Sequence, residues 1–560
     1  MPAFAGMAVD CISNQLPPFT SASAGFDLGR DVANLLPQRE KRMRRQKRVL
    51  MAVAVLAAGL GSAPAQAELL PRPDEIALPG EKALLTEIVS LLTEPSTDVA
   101  EGMAALDKAL ARLGQPTRLR GFVQFMRAQA LFHQERGAPA REAVEESIRL
   151  LPEYSAPLLL GTGIYVYSDQ PGRAADYLMR ASRIDPAVVA KMPEYEVDNL
   201  IHRLTAQHDQ RRVRLVSERL LEIGWLSQSL SSRSKLALRA IEARMAEGDA
   251  AGARKLVPKL LVPSDSIELL IQSRYRELWP DIERWAGAEL RDQWRVYLSE
   301  TRAQWDASKD MASALSYARA LDAAGHYDTL IRELLPLFSK PLDKIEDYDL
   351  LYVAGLVAGA LARKSRWDEI ETMYQRAGKV WVMGEHANAL NLAANRARYL
   401  FFRGKTQEGL TLMDAVIADA KRWGGEINSN ALAAMHRYRA CMLHALGRAE
   451  ESVLSRARGI SGEGPGSTAE LYVCLDKPEG ARDMLIAALD DPGKRAEVLN
   501  YMQKNDDVPM MSDYGRQSRA RWEALRADPK LLAAIARHGR VLPYTYRAGA
   551  PAELPPAKPL

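Results

Sequence analysis

Apolar and small side chains recur along residues 121–188 in a pattern that repeats after 34 residues. Within 121–154, Ala128, Leu131, Ala140, Val144, Ser147 and Pro152 stand where helix packing wants them, and adding 34 gives Thr162, Tyr165, Ala174, Leu178, Ala181 and Pro186. Small residues fill the first, third and fifth places, large apolar ones the second and fourth, and Pro the last. Small side chains let two antiparallel helices approach closely, and large ones fill the groove toward the next pair. Pro152 and Pro186 end the second helix of each unit, because proline lacks an amide hydrogen and disfavours helix in the residue before it. The pattern predicts an all-helical chain.

This arrangement resembles the tetratricopeptide repeat (TPR), whose period is ~34 residues and whose signature holds the same small, large and Pro places. Ala128 and Thr162 stand where that family usually has Gly. The resemblance implies a right-handed superhelical solenoid of antiparallel helix pairs, irregular after the two clear repeats. It also implies a concave face lined by the second, fifth, ninth, twelfth and thirteenth residues of each repeat. Those places hold Phe122, Phe125, Gln129, Phe132 and His133, then Ala156, Leu159, Gly163, Val166 and Tyr167. Family members that clamp a terminal carboxylate use Lys and Arg there, whereas this surface is apolar and aromatic. It suits an amphipathic helix or an extended apolar segment of a partner. The competing expectation is that Phe122, Phe125 and Phe132 are covered by the amphipathic helix within 80–114.

Downstream the pattern returns with drifting spacing. Ala318, Leu321, Gly325, Tyr327 and Leu334 outline one unit, and Ala358, Leu361, Trp367, Tyr374 and Ala377 another. Further units are marked by Ala397, Leu400, Gly404 and Met413, by Ala440, Leu443 and Gly447, and by Ala469, Ala481, Leu485, Ala488 and Pro492. Within 187–310, Gly248, Asp249 and Ala253 hint at a degenerate unit, while Trp279, Trp285, Trp294 and Trp305 keep no period and read as packing between helices. The chain therefore divides into a leader (1–67), capping helices (68–120), two clear repeats (121–188), degenerate repeats (189–458), a Gly-rich break (459–468), a helical segment (469–541) and a Pro-rich tail (542–560). The tail is expected to be extended or disordered. Asp528 and Pro529 place a capping acid and a first-turn Pro before the last helix.

Composition adds a compartment. Residues 1–67 hold eight Lys or Arg and four acids; removing them from totals of 75 and 71 leaves 67 of each, so the body is formally neutral. A neutral body offers no basic footprint for nucleic acid. The run Lys41 to Arg48, the uncharged stretch Val49 to Leu60 and the small-residue site at Ala65 and Ala67 have the order of an export signal, with cleavage predicted after Ala67. The apolar stretch spans 12 residues, against the ~20 of a membrane span, so no permanent anchor is expected. Signal peptides normally open on the basic run, which points to Met43 as the translation start. Beyond Cys11, only Cys441 and Cys474 remain; in an oxidising compartment they can pair, or they are two small buried side chains.

Catalytic signatures are absent. Gly404, Lys405 and Thr406 end like a phosphate loop, but Tyr399 occupies the place of its first Gly. No two histidines stand three or four apart, the helical spacing for a shared metal, and there is no Cys-x-x-Cys. No cofactor is expected. The leading expectation is a non-catalytic, exported scaffold, most simply periplasmic, that holds other envelope proteins in its concave face. A second is an accessory factor in polysaccharide recognition, assembly or export, with glycan stacked on the aromatic residues; a third is an envelope hydrolase with scattered catalytic residues. N-terminal sequencing of the protein made in its native cell should find Glu68 first, and an intact Met1 would remove the export reading.

Overall fold

The structure, a computed structural model, describes residues 73–93, 99–225, 229–339, 349–385, 389–423, 427, 429–460, 464–504 and 508–556. The leader, with its basic run, apolar stretch and cleavage site, lies outside them. The described residues form two compact units, one ending at Asp249 and one beginning at Ala250. Both are all-helical, and the single β-bridge joins Gln272 to Gly539.

The first unit contains α1 (Lys82–Thr93), α2 (Val99–Arg112), α3 (Arg118–His133), α4 (Gly137–Leu150), α5 (Ser155–Tyr167), α6 (Pro171–Ile184), α7 (Glu194–Ala206), α8 (Gln210–Glu222) and α9 (Leu230–Ala246). α3 pairs with α4, α5 with α6, and α7 with α8. The predicted small residues lie at the crossings: Ala128, Ala140, Thr162 and Ala174 are all buried. Thr162 fits there because its hydroxyl donates to Leu158 O at 2.9 Å, so no polar atom is stranded. At Gly161 an added Cβ would stand 3.0 Å from the Tyr177 ring, which is how closely α5 and α6 meet.

The turn inside each pair has a common hydrogen bond. Glu135, Asp169 and His208 are left-handed (φ 63°, 56° and 57°), and so is Gly248 after α9 (φ 79°). In each case the next amide reaches back five residues: Arg136 N to Leu131 O, Gln170 N to Tyr165 O, Asp209 N to Leu204 O and Asp249 N to Arg244 O, at 2.8–3.0 Å. This is the Schellman closure, which satisfies carbonyls left open at a helix end. The left-handed residues are 34, 39 and 40 positions apart, so the turn is kept while the period is lost.

The second unit contains α10 (Ala250–Leu256), α11 (Pro263–Leu270), α12 (Trp279–Ala286), α13 (Arg291–Ser308), α14 (Met311–Ala324), α15 (Tyr327–Leu334), α16 (Asp349–Arg363), α17 (Trp367–Gly378) and α18 (Ala389–Phe402). It continues with α19 (Thr406–Trp423), α20 (Ser429–Ala445), α21 (Ala449–Ile460), α22 (Pro465–Cys474), α23 (Pro478–Asp490), α24 (Arg495–Tyr501), α25 (Asp513–Arg526) and α26 (Pro529–His538). Pairs from α14/α15 to α22/α23 pack in succession, and the same closure recurs at Gly325, Ser365, Gly404, Gly447 and Asp476. The residues marked by the drifting sequence pattern fall on these pairs. Cys441 on α20 and Cys474 on α22 form a disulfide, their Cα atoms 5.7 Å apart. Closing a loop of that 33-residue separation restricts the unfolded chain by ~3–4 kcal/mol on the chain-entropy account.

Three expectations change. The Gly-rich segment 459–468 holds the last two residues of α21 and the first turn of α22, because Pro465 starts a helix rather than preventing one; residues 461–463 lie outside the described set. Of the four tryptophans, Trp294 and Trp305 are buried, but Trp285 is exposed. The described part of the tail is docked. Arg540 N donates to Ile271 O at 3.0 Å, and the Leu542 amide donates to Gln503 Oε1 at 2.9 Å. The Tyr546 ring meets Trp294 edge-on, with centroids 5.9 Å apart. Farther along, Arg547 Nη1 donates to the Tyr327 hydroxyl at 2.6 Å, Ser299 Oγ to Pro556 O at 2.7 Å and Arg302 Nη1 to Pro555 O at 3.2 Å. The tail thus ties α11 and α13–α15 to the α24–α26 end of the same unit. Tyr546→Ala should destabilise this unit by about 3 kcal/mol in chemical denaturation, whereas an undocked tail would give no change.

Candidate functional site

The eight residues expected to line a groove separate into core and surface. Phe122, Phe125 and Val166 are only 7%, 5% and 3% exposed. They belong to the apolar core of the first unit, together with Met103, Leu106 and Ala109 of α2, so this end of the expected groove is not open. Phe132 and Leu159 are half-buried against that core, and Gln129 is half-buried as well. His133 and Tyr167 are exposed. Substituting Phe125 would therefore act on folding, because a buried aromatic supports the core by ~3–5 kcal/mol.

What remains open continues onto helices that the 34-residue step does not reach. The Phe132 ring on α3 packs against Tyr167 on α5 with centroids 5.7 Å apart. The Tyr167 phenol in turn lies close enough to Tyr195 and Asn199 on α7 for both to act on it electrostatically. Tyr167 and Tyr195 are 39% and 41% exposed, the kind of open aromatic pair that a buried core would not leave. Beyond them Asp198 on α7 interacts electrostatically with Lys235 and Arg239 on α9, and His202 with Arg239. One strip of side chains therefore crosses α3, α5, α7 and α9, aromatic at its α3 end and charged at its α9 end.

Protein atoms crowd several titratable groups of the strip. Asp198 and His202 are open to solvent, yet desolvation by surrounding atoms raises the Asp198 pKa and lowers that of His202. Glu196 is raised as well, with desolvation its only cause. Burial, followed by the neighbouring Tyr195 hydroxyl, pushes the Tyr167 phenol up.

The sequence step missed α7 because of five extra residues. After Pro186 the chain makes a short helical turn (Pro186–Val189), capped by Asp185, before α7 begins. Stepping 39 rather than 34 from Ala156, Leu159 and Gly163 reaches Tyr195, Asp198 and His202. Asp169 and His208, the left-handed turn residues, carry the same offset.

A depression of about 750 Å³ lies between α4 and α6, lined by Glu145, Tyr177 and Arg180 among others. Its two acids are already engaged: Glu146 pairs with Arg120 at 2.6 Å, and Glu145 accepts from the Tyr165 and Tyr177 hydroxyls at 2.7 and 2.5 Å and pairs with Arg173 at 2.8 Å. That network holds α4 to α5 and α6. Among the described residues no three of His, Cys, Asp and Glu are grouped as metal ligands, and no helix is long and apolar enough to cross a membrane.

No protein-family profile and no curated protein matches the chain. Among solved structures, the chain is similar at 12% identity and a TM-score of 0.25 to one described as Naa15/Naa10 bound to HypK-THB, over 84% of this chain and 78% of that one. It is similar at 13% identity and a TM-score of 0.19 to the P58(IPK) TPR domain, over 73% of this chain and 99% of that one. Superposition this loose adds nothing to the helix pairing described above.

Proposed function

We propose that the chain is a non-catalytic scaffold that holds partner proteins on the inner face of its first unit. The observation that carries this reading is the strip from Phe132 through Tyr167 and Tyr195 to Asp198, built across the three alternate helices α3, α5 and α7. Exposed tyrosines serve recognition well, since each offers a large rigid surface and a polar tip at little entropic cost. The scaffold acts in the cell envelope after export through the segment Lys41 to Ala67, most simply in the periplasm. The Cys441–Cys474 disulfide supports an oxidising compartment.

A second reading is specific enough to test. Tyr167 and Tyr195 beside Asn199 and Asp198 combine ring faces with amide and carboxylate groups, a set that also suits stacking on sugar rings and bonding to hydroxyls. On that reading the protein is an accessory factor in polysaccharide recognition, assembly or export. None of the four helices contains tryptophan, so mobility in glycan-containing gels is the suitable measurement.

Replacing Tyr167 and Tyr195 together by Ala, followed by crosslinking and affinity purification from the native cell, should remove most protein adducts while thermal unfolding is unchanged. Adducts at the wild-type level in the folded double variant would exclude the inner face as the binding surface. Retarded migration in glycan gels that the same variant abolishes would favour the polysaccharide reading instead.

A further inference from the structure

The depression between α4 and α6 holds cations that the fold does not neutralise. Its acids, Glu145 and Glu146, are bound to Arg173 and Arg120, and Gln124 also donates to Glu146 at 2.6 Å. Arg180, half-buried on α6 in the wall of the depression, makes no ion pair or hydrogen bond among the described residues. Arg149 on the α4 wall stands 3.9 Å from the Glu146 oxygen that Arg120 already holds. The walls and their direct ion-pair partners thus set Arg120, Arg149, Arg173 and Arg180 against Glu145 and Glu146. The next acids are engaged as well: Asp176 accepts from Arg212 Nε and Nη2, each at 3.0 Å, and Glu153 pairs with Arg118 at 2.5 Å. Glu142, one turn earlier on α4, is exposed and lines no part of the depression. The excess extends beyond the depression. Helices α4, α6 and α8 together carry nine Arg against six acids in a body that is formally neutral, and exposed Arg183 and Arg211 are unpaired among the described residues.

The charged groups left over in the depression are donors only. Sugar hydroxyls need acceptors as well as donors, and the side-chain acceptors here, Glu145 and Glu146, are consumed by the fold. An ionised carboxylate only accepts, and guanidinium groups meet it with paired N–H bonds. Beside the cations the wall is apolar, with Ile148 and the Tyr177 ring buried and Pro152 at the rim exposed. A basic segment would be repelled, and a neutral apolar one would desolvate Arg180 without giving it a counter-charge. We infer that this depression is a second binding surface, whose occupant is an acidic polypeptide segment with Asp or Glu set beside an apolar residue. The carboxylate meets Arg180 and Arg149, and the apolar residue packs on Ile148, Pro152 and the Tyr177 ring. The depression shares no residue with the strip on α3, α5 and α7, so this inference stands or falls apart from the reading of that face.

The test uses the full chain and three labelled synthetic peptides, in which Leu is flanked by Glu, by Gln or by Lys within a Gly–Ser sequence, read by fluorescence anisotropy. The Glu peptide should bind best, and its affinity should fall as salt rises. Arg149→Gln with Arg180→Gln should weaken it by about tenfold and leave the Gln peptide unchanged, with thermal unfolding as the folding control. Arg183→Gln with Arg211→Gln removes the same charge outside the depression and should weaken the Glu peptide by about twofold at most. Equal loss from the two double variants would reduce the effect to general charge attraction and overturn the site. Equal binding of the Glu and Lys peptides, or wild-type affinity in the folded Arg149→Gln, Arg180→Gln chain, would overturn it too. Tyr167→Ala with Tyr195→Ala should leave the Glu peptide bound, and its loss there would put the peptide on the inner face instead. Stronger displacement by oligogalacturonate than by unlabelled Glu peptide, at equal carboxylate concentration, would overturn the choice of polypeptide.

Discussion

The closure at the end of each leading helix is the constraint on which the remaining structure depends. One residue turns left-handed, and the next amide bonds the carbonyl five residues back, at Glu135, Asp169 and His208 as at Gly325, Ser365, Gly404, Gly447 and Asp476. That bond fixes how the second helix of a pair returns along the first, so the small residues at Ala128, Thr162 and Ala397 always meet a neighbour at the crossing. Outside this turn the chain is free to insert residues. Non-glycine residues at several of these positions accept a left-handed backbone that costs them ~1 kcal/mol or more, which shows how strongly the packed pair imposes the turn.

Because the turns align the leading helices of the first unit, their inner side chains form one row even though the period drifts. The row changes character as it goes. Phe132, Tyr167 and Tyr195 give way to Asn199 and Asp198 and then to Lys235 and Arg239. Neighbouring side chains of unlike chemistry read a partner more selectively than a uniform apolar groove, since a mismatched segment must leave polar groups desolvated without partners. The second unit is finished differently. Its tail buries Leu542, sets the Tyr546 ring against Trp294 and is held at the backbone carbonyls of Pro555 and Pro556, which ties its early helices to its late ones.

Much of the fold was readable in the residues, and most of the site was not. The pairs α3/α4 and α5/α6 announce themselves because six positions repeat their size class at one spacing, and the later pairs because Ala, Leu and Gly return in the same order. The groove residues were misjudged where tertiary context decides. Phe122 and Phe125 hold the inward places of a repeat, but they join the apolar core of the first unit and leave no open surface there. Tyr195, Asp198 and His202 escaped a fixed step because the Asp185-capped turn adds five residues. The tail misled through composition: its prolines do argue against helix, but a non-helical segment can still dock, and the anchors Leu542 and Tyr546 are single residues without periodicity.

The most direct test of the inner face as the binding surface is to place a photo-crosslinking amino acid at Tyr195, and in a parallel chain at Ile184, which is exposed near the end of α6, and to irradiate each in the native cell. The account predicts discrete protein adducts from position 195 and none from position 184. Adducts from both in equal yield, or from neither with the chain folded, would contradict it.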